Sequence, residues 1–423
     1  MLFPSSPNRG RRDRSPRPEL LCPAGDMERL SAAVAYGADA VYLGGTEFGM
    51  RAAPGNFDED QLREAVAFCH ARGVKVHLTC NTLPRDDELP RLPDFLKTAQ
   101  DAGVDALIIA DLGVLRMAKQ YAPNVEIHMS TQAGIVNYET ANVLYDLGVR
   151  RIVMAREVSL AEIADIRKHI PEDLEIECFV HGAMCMSFSG RCLLSNYLTG
   201  RDANRGRCAQ PCRWRYHLVE EKRPGQYYEI TEEKDGTYFM NSKDMCMIDH
   251  IPELVEAGVS SFKIEGRAKS AFYVAAVTNA YRAAIDGYLA NPSPDYHPAD
   301  WINAEMGKIS YRDYCTGFYF GSPGENAQIY YKGIYIRNWD VMANVLSCEG
   351  STVTVQQRNR FFRGDTFEVL SPGVEPYSIT ARHLYNDAGE EVESAPNPMA
   401  VIHIVTDGPA EIPAGSILRM PVE

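Results

Sequence analysis

Residues 105–132 read DALIIADLGVLRMAKQYAPNVEIHMSTQ. The run DALIIAD is short and rich in Ile and Leu, and VEIHMSTQ resembles it. Between them, LGVLRMAKQYAP spaces its apolar residues by three and four, the period of a helix with one buried face. An apolar run, a helical crossover and a second apolar run make a β-α-β unit. Such strands lie parallel, in a sheet covered on both faces.

The unit repeats in both directions. Upstream, ELLCPAG leads into DMERLSAAVAYGA, DAVYLGG into DEDQLREAVAFCHARG, and VKVHLTCN into ELPRLPDFLKTAQDAG. Downstream, VEIHMSTQ leads into YETANVLYDLG and RRIVMARE into SLAEIADIRKHI. LEIECFVHG is the seventh run, and SSFKIEGR, before SAFYVAAVTNAYRAAIDGY, is the eighth. Eight units predict a closed (β/α)8 TIM-like barrel over 19–330. The competing fold is an open doubly wound sheet. No GxGxxG follows the first run, which counts against its dinucleotide-binding version.

The seventh unit is abnormal. An insertion of about 183–241 separates its strand from SKDMCMIDHIPELVEAG, which reads as a helix opened by Cys246. The insertion begins with a Cys-rich segment and continues as RWRYHLVEEKRPGQYYEITEEKDGTYFMNS, whose alternation predicts a β-hairpin. Loops that follow the strands form the active face of such barrels, so the insertion should cover the site. GKISYRDYCTGFYFG is expected to pack back on the barrel. Over 333–423 the pattern changes to alternating runs broken by Gly and Pro, which predicts a small C-terminal antiparallel β-barrel domain.

With 45% hydrophobic residues, the 423-residue chain has material for a large domain and a smaller one. No long apolar run predicts a membrane span. Residues 1–18 are basic and rich in Pro and Ser, without the apolar stretch of a secretory signal, and read as a disordered tail of a cytoplasmic protein. A net charge of −14 excludes a uniformly basic nucleic-acid coat but not a local patch. Residues 191–215 supply one: Arg191, Arg201, Arg205, Arg207, Arg213 and Arg215 against Asp202.

Eleven cysteines without an export signal point to thiols, metal ligands or catalysis rather than a disulfide framework. Cys185, Cys192, Cys208 and Cys212 sit in loop-like sequence, while Cys178 lies within the seventh strand and reads as a packing residue. Cys69 and Cys348 read the same way, and Cys22 and Cys80 end strands facing the site. Four thiolates suit an iron–sulfur cluster or a tetrahedral zinc. Only Cys208 and Cys212 have the close spacing common in zinc sites, and free thiols remain a third reading. Polar residues at strand ends are further candidates: Asn81, Asp111, Ser130, Thr131, Gln132, Glu157, His181, Glu265 and Arg267. Lys263 and Glu265 alternate along the eighth strand and could form a buried salt bridge, while His128 reads as a core histidine. Neither HExxH nor GxSxG occurs.

ECFVHGAMCMSFSGRCLLS (177–195), MNSKDMCMIDHIPEL, SSFKIEGRAKS, TGFYFG and the opening LLCPAGDMERLSAAVAYGADAVYLGG together resemble peptidase family U-32, the collagenase-like group, over nearly the whole chain. The two-domain layout is most similar to the family's tRNA wobble-uridine hydroxylation proteins. Other branches modify a ribosomal-RNA cytidine or ubiquinone precursors.

The resemblance implies an oxygen-independent 5-hydroxylation of uridine that draws on prephenate, with tRNA as partner. It implies a 4Fe-4S cluster on Cys185, Cys192, Cys208 and Cys246, or on Cys212 as the alternative fourth ligand. His181, Glu157 and Glu265 are the candidate catalytic residues. Arg191, Arg205, Arg207 and Arg267 would bind substrate, and Trp214 or Tyr197 would stack on the base. An oligomer, homomeric or with a related family member, is a further expectation. A peptidase and a zinc-stabilised RNA-binding module are the alternatives.

Overall fold

The computed structural model describes residues 17–50, 55–185, 187, 191–203, 206–214, 242–322, 335–408 and 411–422. The tail before residue 17 and the expected hairpin over 215–241 lie outside the described residues. In chain order, β1 (Glu19–Pro23), α1 (Met27–Ala35), β2 (Ala40–Gly44), α2 (Glu59–His70), β3 (Lys75–Cys80), α3 (Leu92–Ala102) and β4 (Ala106–Ile109) alternate. They are followed by α4 (Leu112–Tyr121), β5 (Glu126–Met129), α5 (Tyr138–Asp146), β6 (Arg151–Val153), α6 (Leu160–His169) and β7 (Glu175–Ala183). After α7 (Leu194–Thr199) in the insertion come β8 (Asp244–Cys246), α8 (Ile251–Glu256), β9 (Ser261–Ile264) and α9 (Ala271–Ala290). Strands β1 to β7 pair in parallel in chain order, β7 pairs with β9, and β9 with β1. The eight strands therefore close a parallel barrel.

The outward faces of the strands and the inward faces of the helices share one apolar core, which includes Leu20, Leu43, Leu78, Ile109, Ile152 and Phe262. Burying one such side chain contributes about 1.5–3 kcal/mol. One strand-end polar residue turns out to start a helix. Asp111 caps α4 by accepting from Val114 N at 3.0 Å. Ser159 and Glu162 form a reciprocal capping box on α6.

The barrel interior is polar where apolar layers are usual. At its lower, N-terminal end Arg151 meets Glu19 at 2.5 Å, Glu175 at 2.6 Å and Glu177 at 3.1 Å, and Lys263 meets Glu177 at 2.6 Å. Lys263 thus pairs with Glu177, not with Glu265 as the alternation along one strand suggested. Burial would raise the Glu177 carboxyl, but Lys263 and Arg151 bring it down to about 2.

The end of the insertion corrects an expectation. Cys246 does not open a helix; it ends β8, which runs antiparallel to the end of β7 with His181 opposite Cys246. Beyond α10 (Asp300–Met306), β10 (Tyr314–Cys315) pairs with β8. A buried ion pair between Asp244 and Arg312, 2.6 Å long, pins this small extension. A strand of three residues has no periodicity to read, so the helical start of the next element absorbed it.

The C-terminal unit comprises β11 (Trp339–Glu349), β12 (Thr352–Gln357), β13 (Phe361–Phe362), β14 (Thr366–Leu370), β15 (Tyr377–Asn386), β16 (Glu391–Val392), β17 (Ser394–Ala395), β18 (Val401–Thr406) and β19 (Ile417–Pro421). It corrects the expectation of a small antiparallel barrel. The strands form a seven-stranded sheet in the order β14–β19–β11–β12–β18–β15–β16, in which β14 also meets β15, and a separate two-stranded ribbon of β13 and β17. A closed barrel leaves no edge, whereas this sheet keeps one in β16 and sets the ribbon apart. Alternation reports which residues face a core, not which strands pair. The long β15 serves three partners, which no local pattern announces. The unit is fastened to the barrel by the buried pair Arg419–Glu305 and by Tyr36 Oη, which donates to Leu370 O at 2.8 Å.

Candidate active site at the mouth of the barrel

A cavity of about 170 Å³ opens at the C-terminal ends of the strands. Tyr42, Ile108, Val153, Phe179 and Lys263 contribute to its walls from the barrel interior, and Cys185, Cys192, Cys208 and Cys212 from the insertion. Glu157, Glu265 and Arg267 also line it. The segment that looked unlike a core thus supplies one side of the cavity. Leu194 N donates to Cys192 Sγ and Gln210 N to Cys208 Sγ, each at 3.3 Å.

Among the described residues, no three His, Cys, Asp or Glu side chains gather tightly enough to hold one metal ion. A tetrahedral zinc draws each sulfur to about 2.3 Å from a single centre, and this arrangement does not provide that. A 4Fe-4S cluster takes four thiolates on different irons. Four thiols lining one cavity match that donor chemistry, although the arrangement is not itself a formed metal site.

Cys246 is placed differently from the four. It does not line the cavity; its Sγ lies 4.0 Å from Tyr281 Oη, and burial pushes its thiol up to about 12. His181 also stands off the cavity wall. The register of β7 against β9 shifts between Phe179 and His181, leaving Val180 as an extra residue. Such a bulge breaks the alternation of faces. Phe179 stays in the cavity, while the His181 ring sits among Tyr273, Tyr281 and Tyr314, with centroids 5.4–5.9 Å away. Burial, with Lys269 nearby, lowers its imidazole to about 3, so it is neutral.

Glu265 Oε2 accepts from Tyr42 Oη at 3.2 Å. Arg267 is buried and donates to Thr79 Oγ1 at 3.1 Å. It needs Gly44 at the end of β2, because a Cβ there would sit 2.5 Å from Arg267 Nη1. Arg191 Nε donates to Gln132 O at 2.6 Å. Arg207 is exposed, and Arg205 lies outside the described residues. Tyr197 and Trp214 are exposed, at 86% and 43%. Asn81, Ser130, Thr131 and Gln132 all line the cavity, and Ser130 Oγ also accepts from Gln132 N. Sequence reasoning missed Arg156, which lines the cavity beside Glu157. Its one signal was a position just past the end of β6.

Fold and cavity together define a TIM-like barrel protein with a thiol-lined, ionisable mouth. The chain belongs to peptidase family U32: residues 25–329 match that family and residues 337–419 match the peptidase family U32 C-terminal domain. It is 38% identical over 400 residues to tRNA hydroxylation protein P1 of Bacillus subtilis (strain 168), covering 94% of each chain. It is 34% identical to tRNA hydroxylation protein P of Escherichia coli (strain K12), covering 90% of this chain and 92% of that one. A collagenase of Porphyromonas gingivalis is 34% identical, with 72% and 73% covered. The likeness to the first two proteins therefore takes in more of the chain than the likeness to the third. Among the described residues no helix is long and apolar enough to cross a membrane.

Proposed function

We propose that this protein is a cytoplasmic RNA-modifying enzyme that hydroxylates C5 of the wobble uridine of tRNA without molecular oxygen, using prephenate as co-substrate and hydroxyl source. The observation that carries the reading is one cavity sharing four thiols with Glu157, Glu265 and Arg267, in a chain similar over nearly all its length to tRNA hydroxylation proteins. Cys185, Cys192, Cys208 and Cys212 would hold a 4Fe-4S cluster. Cys246, the fourth ligand preferred from sequence, becomes the alternative because it stands off the cavity wall. When bound, the cluster supplies electron transfer at that wall.

The chain's own groups do the rest. Exchanging C5–H for C5–OH oxidises the base by two electrons. It balances when the co-substrate gives up its C–OH oxygen and ends with C–H in its place, so that the co-substrate is the two-electron acceptor and the C5 proton passes through a base. Glu265 and Glu157 are the proton acceptors in the cavity, and Tyr42 orients the former. Arg267, Arg191, Arg205 and Arg207 hold carboxylate or phosphate, which guanidinium forks bind bidentately. The uridine must leave its stack to reach the cavity, and Tyr197 and Trp214 offer it exposed rings. His181, buried and neutral, acts on this reading through Glu265, whose N–H donates to the His181 carbonyl at 2.8 Å.

Two experiments test the reading. Deleting the gene, in a strain without a redundant homologue, should remove 5-oxygenated wobble uridines from bulk tRNA; an unchanged nucleoside profile rejects it. Anaerobically purified protein should be brown and contain iron and sulfide. Colourless protein holding only zinc would favour an RNA-binding module. Collagen cleavage by the pure chain would favour a peptidase.

A further inference from the structure

We infer that Arg156 is a specificity-determining residue of the mouth, binding one carboxylate of a small dicarboxylate whose other carboxylate faces Arg267. The inference rests on the function proposed above and assigns its co-substrate subsite.

Arg156 lies just past β6, and its guanidinium stacks on the Phe179 ring at 3.8 Å from the centroid. Among the described residues it makes one hydrogen bond, from Nη1 to Ala183 O at 3.2 Å. Its Nε is buried with no partner, and among the described residues no carboxylate pairs with it. A stacked, half-buried guanidinium without a counter-charge is costly unless an anion completes it. Gln132, about nine-tenths buried in the same cavity, keeps its Oε1 without a partner, an acceptor suited to a ligand hydroxyl rather than to a carboxylate.

The two arginines occupy opposite walls. Arg156 is tied to the end of β7 through Ala183 and Phe179. Arg267 starts beyond β9 but reaches over Gly44 of β2 to Thr79 of β3. In the ring β1–β2–β3–β4–β5–β6–β7–β9, strands β2 and β3 stand four places from β6 and β7, half-way round the barrel. A ligand bridging them carries negative charge at both ends. Glu157 and Glu265 line the same cavity, so a carboxylate entering it is drawn to the guanidinium groups rather than to these acidic side chains. Lys263 adds little net attraction, because Glu177 already neutralises it.

The test is calorimetry on the full chain with prephenate and succinate as dicarboxylate probes and benzoate as a monocarboxylate. Wild type should bind both dicarboxylates more tightly than benzoate. Arg156→Ala should weaken the dicarboxylates by about tenfold to a hundredfold, the size of one charged hydrogen-bonded contact, and benzoate far less. Arg156→Lys keeps charge and bulk but lacks the planar fork, so it should lose most of the same affinity. A urea-unfolding midpoint near that of wild type shows that neither variant has collapsed. Failure of wild type to bind either dicarboxylate, wild-type affinity in both variants, or an equal loss for benzoate would overturn the assignment. If calorimetry gives the expected pattern while gene deletion leaves tRNA unchanged, the RNA reading falls and the subsite stands.

Discussion

The two ends of the barrel are both polar, yet they are built on opposite terms. At the lower end Arg151, Lys263, Glu19, Glu175 and Glu177 satisfy one another within 3.1 Å. A second cavity there, about 310 Å³, is lined by His77, His128, Glu126 and Arg151, the last of which belongs to this network. At the upper end, thiols from the insertion and a guanidinium that no carboxylate among the described residues pairs with line the cavity. Charge compensated by neighbours supports the fold; charge left for a ligand marks the site. Lys263 shows the distinction within one residue, since it lines the upper cavity but belongs energetically to the lower network.

Substitutions at the two ends should therefore separate activity from stability. The largest effect is expected for Cys192→Ala, with iron content and modified uridine both falling to background while the urea midpoint stays near wild type. Retained iron at wild-type stoichiometry would remove Cys192 from the ligand set. Running Cys212→Ala beside Cys246→Ala decides the fourth ligand, because only one should lose iron. Next comes Glu177→Ala. It strands Lys263 and loosens Arg151 in the interior, which should cost about 3–5 kcal/mol in urea unfolding, and a loss below 1 kcal/mol would mean that water reaches the network.

A smaller effect concerns pH. His181 takes up its proton far more readily in the unfolded chain, near 6.5, than in the fold, near 3. Stability should therefore fall as pH drops below about 6.5, by up to about 1.4 kcal/mol per unit, until the folded group also titrates near 3. Glu177, lowered from 4.5 to about 2, adds its own loss in that lower window. His181→Phe should flatten the profile between pH 6.5 and 5, and an unchanged slope would assign it elsewhere. The smallest is Gly44→Ala, whose methyl displaces Arg267. It should raise the KM for the carboxylate co-substrate several-fold at a stability cost of about 1 kcal/mol, whereas an unchanged KM would take Arg267 out of the subsite.

The polar interior was itself partly written in the strands, as period-two series at Lys75, His77 and Thr79, at Glu126, His128 and Ser130, and at Ser261, Lys263 and Glu265. The apolar residues between them dominated the reading, because a parallel strand is expected to be apolar on both faces. His181 shows a different limit, since a single extra residue in β7 turned its side chain away from a mouth that its position in sequence faced.

The sequence by itself determined the eightfold alternation, and with it the barrel, together with the segment that brings thiols and arginines to one end. Those signals are local, carried by spacing within a dozen residues. Only the tertiary structure decided that Cys212 rather than Cys246 shares the cavity with the other three thiols, that Arg156 stands there without an acidic partner among the described residues, and how the C-terminal strands pair. Each of these depends on which distant segments meet when the barrel closes and the sheet orders itself, and hydrophobic periodicity carries no record of that choice.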